Sequence, residues 1–133
     1  MKLNKSYSII YLFLIIIYVI GCTRDGAVID DGTVTLTITT TPANGTTGIA
    51  INTNIVATFS VDMDPSSITV ISSFTLVDSA NNSILGAVAY SNKIATFNPT
   101  NDLAYNTTYT ATISTSVMDL DGTPLASAKI WSF

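Results

Sequence analysis

From Val34 onward, apolar and polar residues alternate along the chain with a period of two. The segment VTLTIT places Val34, Leu36 and Ile38 on one face and threonines on the other. Successive side chains of a β-strand point to opposite faces of a sheet, so this alternation is typical of a half-buried strand. No segment of the sequence carries a helical stripe of useful length. The alternation therefore predicts an all-β fold.

Turn signals divide this part of the chain into short segments, and Asp64-Pro65, Asn98-Pro99 and Asp121-Gly122 are examples. After VTLTIT, the alternating segments are INTNIVATFS, SSFTLVD, LGAVAYS, KIATFNP, TYTATIS and KIWSF. Seven short strands within about 100 residues predict an immunoglobulin-like Greek-key β-sandwich. We expect its core to be built from aliphatic side chains together with Phe59, Phe74, Phe97, Tyr109 and Trp131.

Composition and charge exclude two classes of protein. Hydrophobic residues make up 47% of the chain and charged residues 11%, which is too apolar for a disordered protein. From Cys22 onward all 9 acidic residues are aspartates, and the basic side chains are Arg24, Lys93 and Lys129. This excess of negative charge repels phosphate backbones, so we expect no nucleic-acid binding. The sequence contains no His and no Glu, which leaves acid–base catalysis poorly supported, and we expect no enzyme activity.

The chain begins with a short basic segment, MKLNKSYS, followed by the apolar run of residues 9–20. A membrane-spanning helix needs about 20 apolar residues, and this run is well short of that length. A basic start, a short apolar middle and a small residue at the end are the parts of a secretory signal peptide. We therefore predict a signal peptide over residues 1–21, with an uncleaved signal anchor as the alternative.

The last residues of this segment, Val19, Ile20, Gly21 and Cys22, resemble the lipobox of bacterial lipoproteins. The resemblance implies that the sulfur of Cys22 carries a diacylglycerol, that the signal peptide is cut before Cys22 and that the new N-terminus is often acylated. Each buried CH₂ of such chains contributes roughly 0.8 kcal/mol, so two or more chains anchor a protein firmly. Thr23 stands where an aspartate would favour the inner membrane, so the resemblance favours the outer membrane or cell surface.

Other roles of Cys22 are less well supported. It is the single cysteine, so a disulfide would have to be intermolecular. A metal site or an activated thiol would need His partners, which the sequence lacks. The polar segment TRDGAVIDDGT follows, and it predicts a tether over residues 22–33 that holds a domain of residues 34–133 off the membrane.

The segment LAYNTTY, residues 103–109, resembles the tyrosine corner of Greek-key sandwiches, which is usually Leu-x-Pro-x-Thr-x-Tyr. Leu103, Thr107 and Tyr109 keep the pattern, and Tyr105 replaces the usual proline. The resemblance implies that the Tyr109 hydroxyl bonds back to the backbone of the crossover, which is a structural role.

The domain as a whole resembles bacterial Ig-like domains of the SbsA type. The resemblance is carried, in chain order, by PANG, NIVATFS, MDPSS, FNP, LAYNTTY, DLDG and WSF. Members of that family are usually repeated spacers in surface-layer proteins, adhesins and extracellular enzymes. The resemblance therefore implies a cell-surface module with a structural, spacer or protein-interaction role. Family members commonly have a proline before the position of Met63, where this chain has Asp62, and they continue a few residues past Phe133, which suggests C-terminal truncation.

Two other functions stay open at this point. In the first, the domain is an adhesin-like or carbohydrate-binding module that contacts a surface protein or polysaccharide through exposed aromatics such as Tyr90 and Tyr105. In the second, the domain is an accessory domain cut off from a larger extracellular enzyme.

Two pairs of aspartates, Asp62 with Asp64 and Asp119 with Asp121, lie in separate turn segments. Aspartates in such turns usually cap backbone amides, and that is the leading interpretation. If the two turns met at one end of the sandwich, the four carboxylates could hold Ca²⁺, which takes six to eight oxygen ligands. We expect no cofactor, with Ca²⁺ at these four residues as the secondary hypothesis.

Overall fold

The computed structural model describes residues 36–133, and within them the predicted alternation becomes seven strands. They are β1 Ile38–Thr41, β2 Ile55–Phe59, β3 Phe74–Asp78, β4 Gly86–Ser91, β5 Ile94–Pro99, β6 Tyr109–Ile113 and β7 Lys129–Ser132. One turn of 3₁₀ helix, Pro65–Ser67, lies between β2 and β3. The prediction of an all-β fold is confirmed. In residues 36–133 no helix has the length and apolar character needed to cross a membrane.

The first strand begins at Ile38, later than the pattern VTLTIT predicts. Ile38 lies opposite Phe59, the last residue of β2. Beyond that pair only half of the regular pairing is kept: the Ser60 N–H donates to the Thr37 carbonyl at 3.0 Å, but the Thr37 N–H donates to the Ser60 hydroxyl at 3.0 Å. The start of β1 is therefore set by the end of its partner strand, and the predicted residues 34 and 35 lie outside the described part of the chain.

The strands form two antiparallel sheets, one in the order β1-β2-β5-β4 and the other in the order β3-β6-β7. In the centre of the larger sheet two small residues face each other, Ala57 and Ala95, and in the smaller sheet Leu76 lies opposite Ala111. The chain changes sheet after β2, after β3 and after β5. This is the strand order of a constant-type immunoglobulin domain, so the predicted Greek-key sandwich is confirmed.

The five aromatic residues expected in the core are all buried: Phe59, Phe74, Phe97, Tyr109 and Trp131. Phe74 on β3 lies at the centre of this group. Its ring centroid is 5.6 Å from that of Phe97 on the opposite sheet and 6.0 Å from that of Trp131 on its own sheet. Rings at this spacing gain about 0.5–1.5 kcal/mol per pair beyond the burial of their area. Phe74 therefore ties the two sheets together.

Connections between strands gather at the two ends of the sandwich. The end far from Leu36, where the described chain begins, is the distal end. It holds the connections of residues 42–54, 79–85 and 100–108, together with Phe133. The proximal end holds the connections of residues 60–73, 92–93 and 114–128, together with Leu36, where the described chain begins. The N-terminal side of the domain and its distal loops therefore lie at opposite ends of the strands.

Replacing Phe74 by alanine tests the role of this ring. Phe74→Ala removes a fully buried side chain from between the sheets and should lower the free energy of unfolding by about 3–5 kcal/mol. The control Thr75→Ala changes the next residue of the same strand, on the outer face, and should cost less than about 1 kcal/mol. Urea unfolding followed by Trp131 fluorescence measures both, and equal losses would contradict the assignment.

Candidate functional site

Two connections at the distal end are fixed to each other and to the end of the last strand. The Leu103 N–H donates to the Ile51 carbonyl at 2.8 Å, which joins the connection of residues 100–108 to that of residues 42–54. The Ser132 N–H donates to Oδ1 of Asn44 at 3.0 Å. These bonds hold three separate parts of the chain in one arrangement.

Tyr109 organises the connection that precedes β6. It is buried, and its hydroxyl accepts a hydrogen bond from the Ala104 N–H at 2.7 Å. Its ring stacks on that of Phe133, with centroids 6.1 Å apart. Leu103 is buried beside it, and the Thr107 hydroxyl donates to the Tyr105 carbonyl at 3.1 Å. These contacts fold the chain back on itself in the connection from β5 to β6, which is the place where a tyrosine corner occurs in an immunoglobulin-like sandwich.

A groove of about 370 Å³ opens between the two connections. Its walls are residues 46–51 and 103–109, and Phe133 closes one side. None of these residues has a charged side chain. The next residue after Tyr105, Asn106, has φ 51°, a left-handed conformation that asparagine tolerates better than most residues. The Tyr105 side chain is 77% exposed in this arrangement, so its ring is free to contact a ligand.

Tyr90, the other aromatic predicted to be exposed, is partly buried and packs against the core. Its hydroxyl accepts a hydrogen bond from the Met63 N–H at 2.8 Å, and its ring meets the edge of Phe59 at 6.3 Å. It lies near the proximal end of β4, away from the groove. The prediction that Tyr90 is an exposed aromatic is therefore wrong, because its position in β4 puts the side chain on the inner face of the sheet.

The two aspartate-bearing turns do meet at the proximal end. Met63 pairs with Asp119, and the Asp64 N–H donates to the Met118 carbonyl at 2.9 Å. Their carboxylates, however, serve their own turns. Asp64 accepts hydrogen bonds from the Ser66 hydroxyl and N–H, which lower its pKa below the ordinary value of 3.8.

Asp119 also caps its own turn, and Asp62 lies outside both turns' hydrogen bonds. Oδ1 of Asp119 accepts hydrogen bonds from the N–H groups of Asp121 and Thr123, at 3.0 and 2.8 Å. Asp62 lies on the surface, 3.9 Å from Nζ of Lys93. Within residues 36–133 no three acidic residues come close enough to share a metal ion. The turns meet, but the four carboxylates do not converge on one point.

The lipobox residues Val19, Ile20, Gly21 and Cys22 lie outside the described residues, as do the predicted signal peptide and tether. Lipidation at Cys22 stays a prediction.

Sequence reasoning did not find the segment of residues 46–51 as part of a site. Its apolar members, Ile49 and Ile51, stand in a long connection rather than in a strand. Their apolar character within a turn-rich connection could have indicated the site, because apolar residues in a connection usually pack against another part of the chain.

Comparison with protein families gives a match that covers most of the chain. Residues 30–133 match a family model described as a bacterial Ig-like domain. No curated protein matches the chain.

The Tyr109 hydroxyl is open to a direct test. Tyr109→Phe leaves the Ala104 N–H without its acceptor, and losing such a bond lowers the free energy of unfolding by about 1–2 kcal/mol. The control Tyr105→Phe removes a hydroxyl from an exposed ring and should change the value by less than about 0.5 kcal/mol. Urea denaturation of the two variants compares them. A Tyr109→Phe protein as stable as the control would contradict the role given to this hydroxyl.

Proposed function

Because the chain belongs to the bacterial Ig-like domain family, we propose that it is a lipid-anchored module of the cell envelope, held by Cys22, with a structural or spacer role and no catalytic activity. Domains of this family are typically extracellular or surface-exposed and are generally non-catalytic. The order of features along the chain carries the proposal. A lipobox ending at Cys22 stands shortly before the family match at residues 30–133.

The geometry of the domain suits an anchor on its N-terminal side. The described chain begins at Leu36, at the proximal end, whereas the groove with Tyr105 is at the distal end. In the sequence, the predicted polar tether of residues 22–33 stands between Cys22 and this domain. The distal loops are therefore the part of the domain best placed to meet another molecule.

Mass spectrometry of the membrane fraction tests the anchor. We expect a mature chain that begins at Cys22 and carries added acyl mass. Cys22→Ala should move the protein out of the membrane fraction, because it removes the atom that is acylated. The control Thr23→Ala keeps the lipobox and should leave fractionation unchanged. A Cys22→Ala protein that still sediments with membranes would remove lipid anchoring from the proposal.

A second function, binding of a neutral carbohydrate at the distal end, is favoured by the exposure of Tyr105 beside the groove. An exposed aromatic ring offers an apolar face to a sugar ring. Thr46, Thr47 and Thr107 line the same groove. The Thr46 and Thr107 hydroxyls donate to the Ala43 and Tyr105 carbonyls and can still accept from a ligand, and the Thr47 hydroxyl can donate and accept. The uncharged walls favour neutral sugars over acidic ones, because no cation is present there to pair with a carboxylate or sulfate.

An array of neutral glycans tests this second function. Tyr105→Ala should weaken binding of any glycan retained by the protein about tenfold, since stacking on one aromatic ring contributes about 1 kcal/mol or somewhat more. The control Ile71→Ala removes an 88%-exposed apolar side chain from the proximal end and should leave binding unchanged. If no neutral glycan binds, or if both variants bind like the unaltered protein, carbohydrate binding at this groove is excluded.

A further inference from the structure

The sandwich has four edge strands, and the protein covers the edge of β3 with its own chain. The Phe74 N–H donates to the Thr69 carbonyl at 2.9 Å. Further along the same edge, the Ile84 N–H donates to the Leu76 carbonyl at 2.9 Å. Covering an edge in this way prevents it from pairing with another strand.

The edges of β7 and β1 are blocked in other ways. On β7 the Ser132 carbonyl accepts a hydrogen bond from the Gly45 N–H at 2.7 Å, and Lys129 adds a charge to the strand. On β1 the regular strand is four residues long and is followed by Pro42, which has no N–H to donate. Short strands, charges and prolines are the usual means of protecting an edge.

The edge of β4 is different. The Thr100 N–H donates to the Leu85 carbonyl at 2.9 Å, so Leu85 faces β5. Alternation then turns the backbone groups of Gly86, Val88 and Tyr90 away from β5. β4 pairs with β5 alone, and these outward groups have no hydrogen-bond partner within residues 36–133.

Nothing in the composition of β4 protects this edge. Gly86–Ser91 is a regular strand with neither proline nor a charged residue. Two exposed side chains on its outer face, Ala87 and Ala89, are small and leave the backbone accessible. An edge of this kind is a template for another strand.

We propose that the β4 edge pairs with the β4 edge of a second copy of this chain, in antiparallel orientation about a two-fold axis at Val88. In this register Val88 pairs with Val88 of the second copy, and Gly86 pairs with Tyr90 of the second copy. Every outward N–H and C=O of these three residues then gains a partner. Registers centred one residue to either side leave part of them unpaired.

Self-complementarity selects a second copy as the occupant. A two-fold axis places identical strands side by side, and an uncharged strand meets its copy without like-charge repulsion. Ala87 then faces Ala89 of the second copy, and two methyl groups fit at the roughly 4.5–5.5 Å separation of directly opposed Cβ atoms. The larger sheet continues through the axis, from β4 of one copy into β4 of the next. Because the pairing is antiparallel, the proximal ends of the two copies lie at opposite ends of the pair.

Thiol cross-linking of the full chain in detergent solution tests the pairing. All variants carry Cys22→Ala, so the result does not depend on lipidation and its failure leaves the proposed anchor untouched. Opposed residues of a non-hydrogen-bonded antiparallel pair have Cα atoms about 4.5 Å apart, which is within disulfide range. The double variant Ala87→Cys/Ala89→Cys should therefore shift, on mild oxidation, to twice the monomer mass and return to the monomer on reduction.

The matched control is Thr39→Cys/Thr41→Cys, which places two exposed thiols with the same spacing on the outer face of β1. We expect the control to stay monomeric. Trp131 fluorescence checks that both variants are folded. No shift for the β4 variant, an equal shift for the control, or cross-linking only to other proteins would overturn the proposal. Efficient cross-linking by Ala87→Cys or Ala89→Cys alone would overturn the register centred on Val88.

Discussion

The contact between the rings of Phe74 and Phe97, one from each sheet, is the interaction on which the rest of the domain depends. Within residues 36–133 the strands of the two sheets share no hydrogen bond across the core, so their facing surfaces are held together by side-chain packing. Phe74 also packs on Trp131, whose indole N–H has no acceptor among the described residues. The packing of the Trp131 ring in the core therefore offsets the cost of leaving its indole N–H unpaired.

The packed core fixes the distal loops through Tyr109. Because β6 is held against the core by Ala111 and Ile113, the Tyr109 hydroxyl stands at a defined place and receives the Ala104 N–H. That bond shapes the turn which leaves Tyr105 exposed beside the groove. The core thus determines the geometry of the groove that is proposed to bind carbohydrate.

Much of the fold could be predicted because strand alternation is a local property of the sequence. The segments around Ile55, Phe74 and Phe97 reveal their buried faces without knowledge of their partners. Where a strand begins depends on the partner, and for that reason β1 begins at Ile38 although the alternation already includes Leu36. Tyr90 shares the parity of Val88, so its inward position could have been deduced from the alternation in GAVAYS. Asp64 and Asp119 each accept hydrogen bonds within their own turn. Residue type and spacing alone do not distinguish this arrangement from a cation site shared by the two turns.

Amide hydrogen exchange at single residues tests most directly whether the core holds the distal loops in one arrangement. We expect the N–H groups of Leu103 and Ala104 to exchange slowly, because they donate to the Ile51 carbonyl and the Tyr109 hydroxyl. The neighbouring amides of Asn106 and Thr108 should exchange at rates close to those of an unstructured peptide. Exchange at Leu103 and Ala104 as fast as at Asn106 would contradict the account, because the groove would then have no fixed wall.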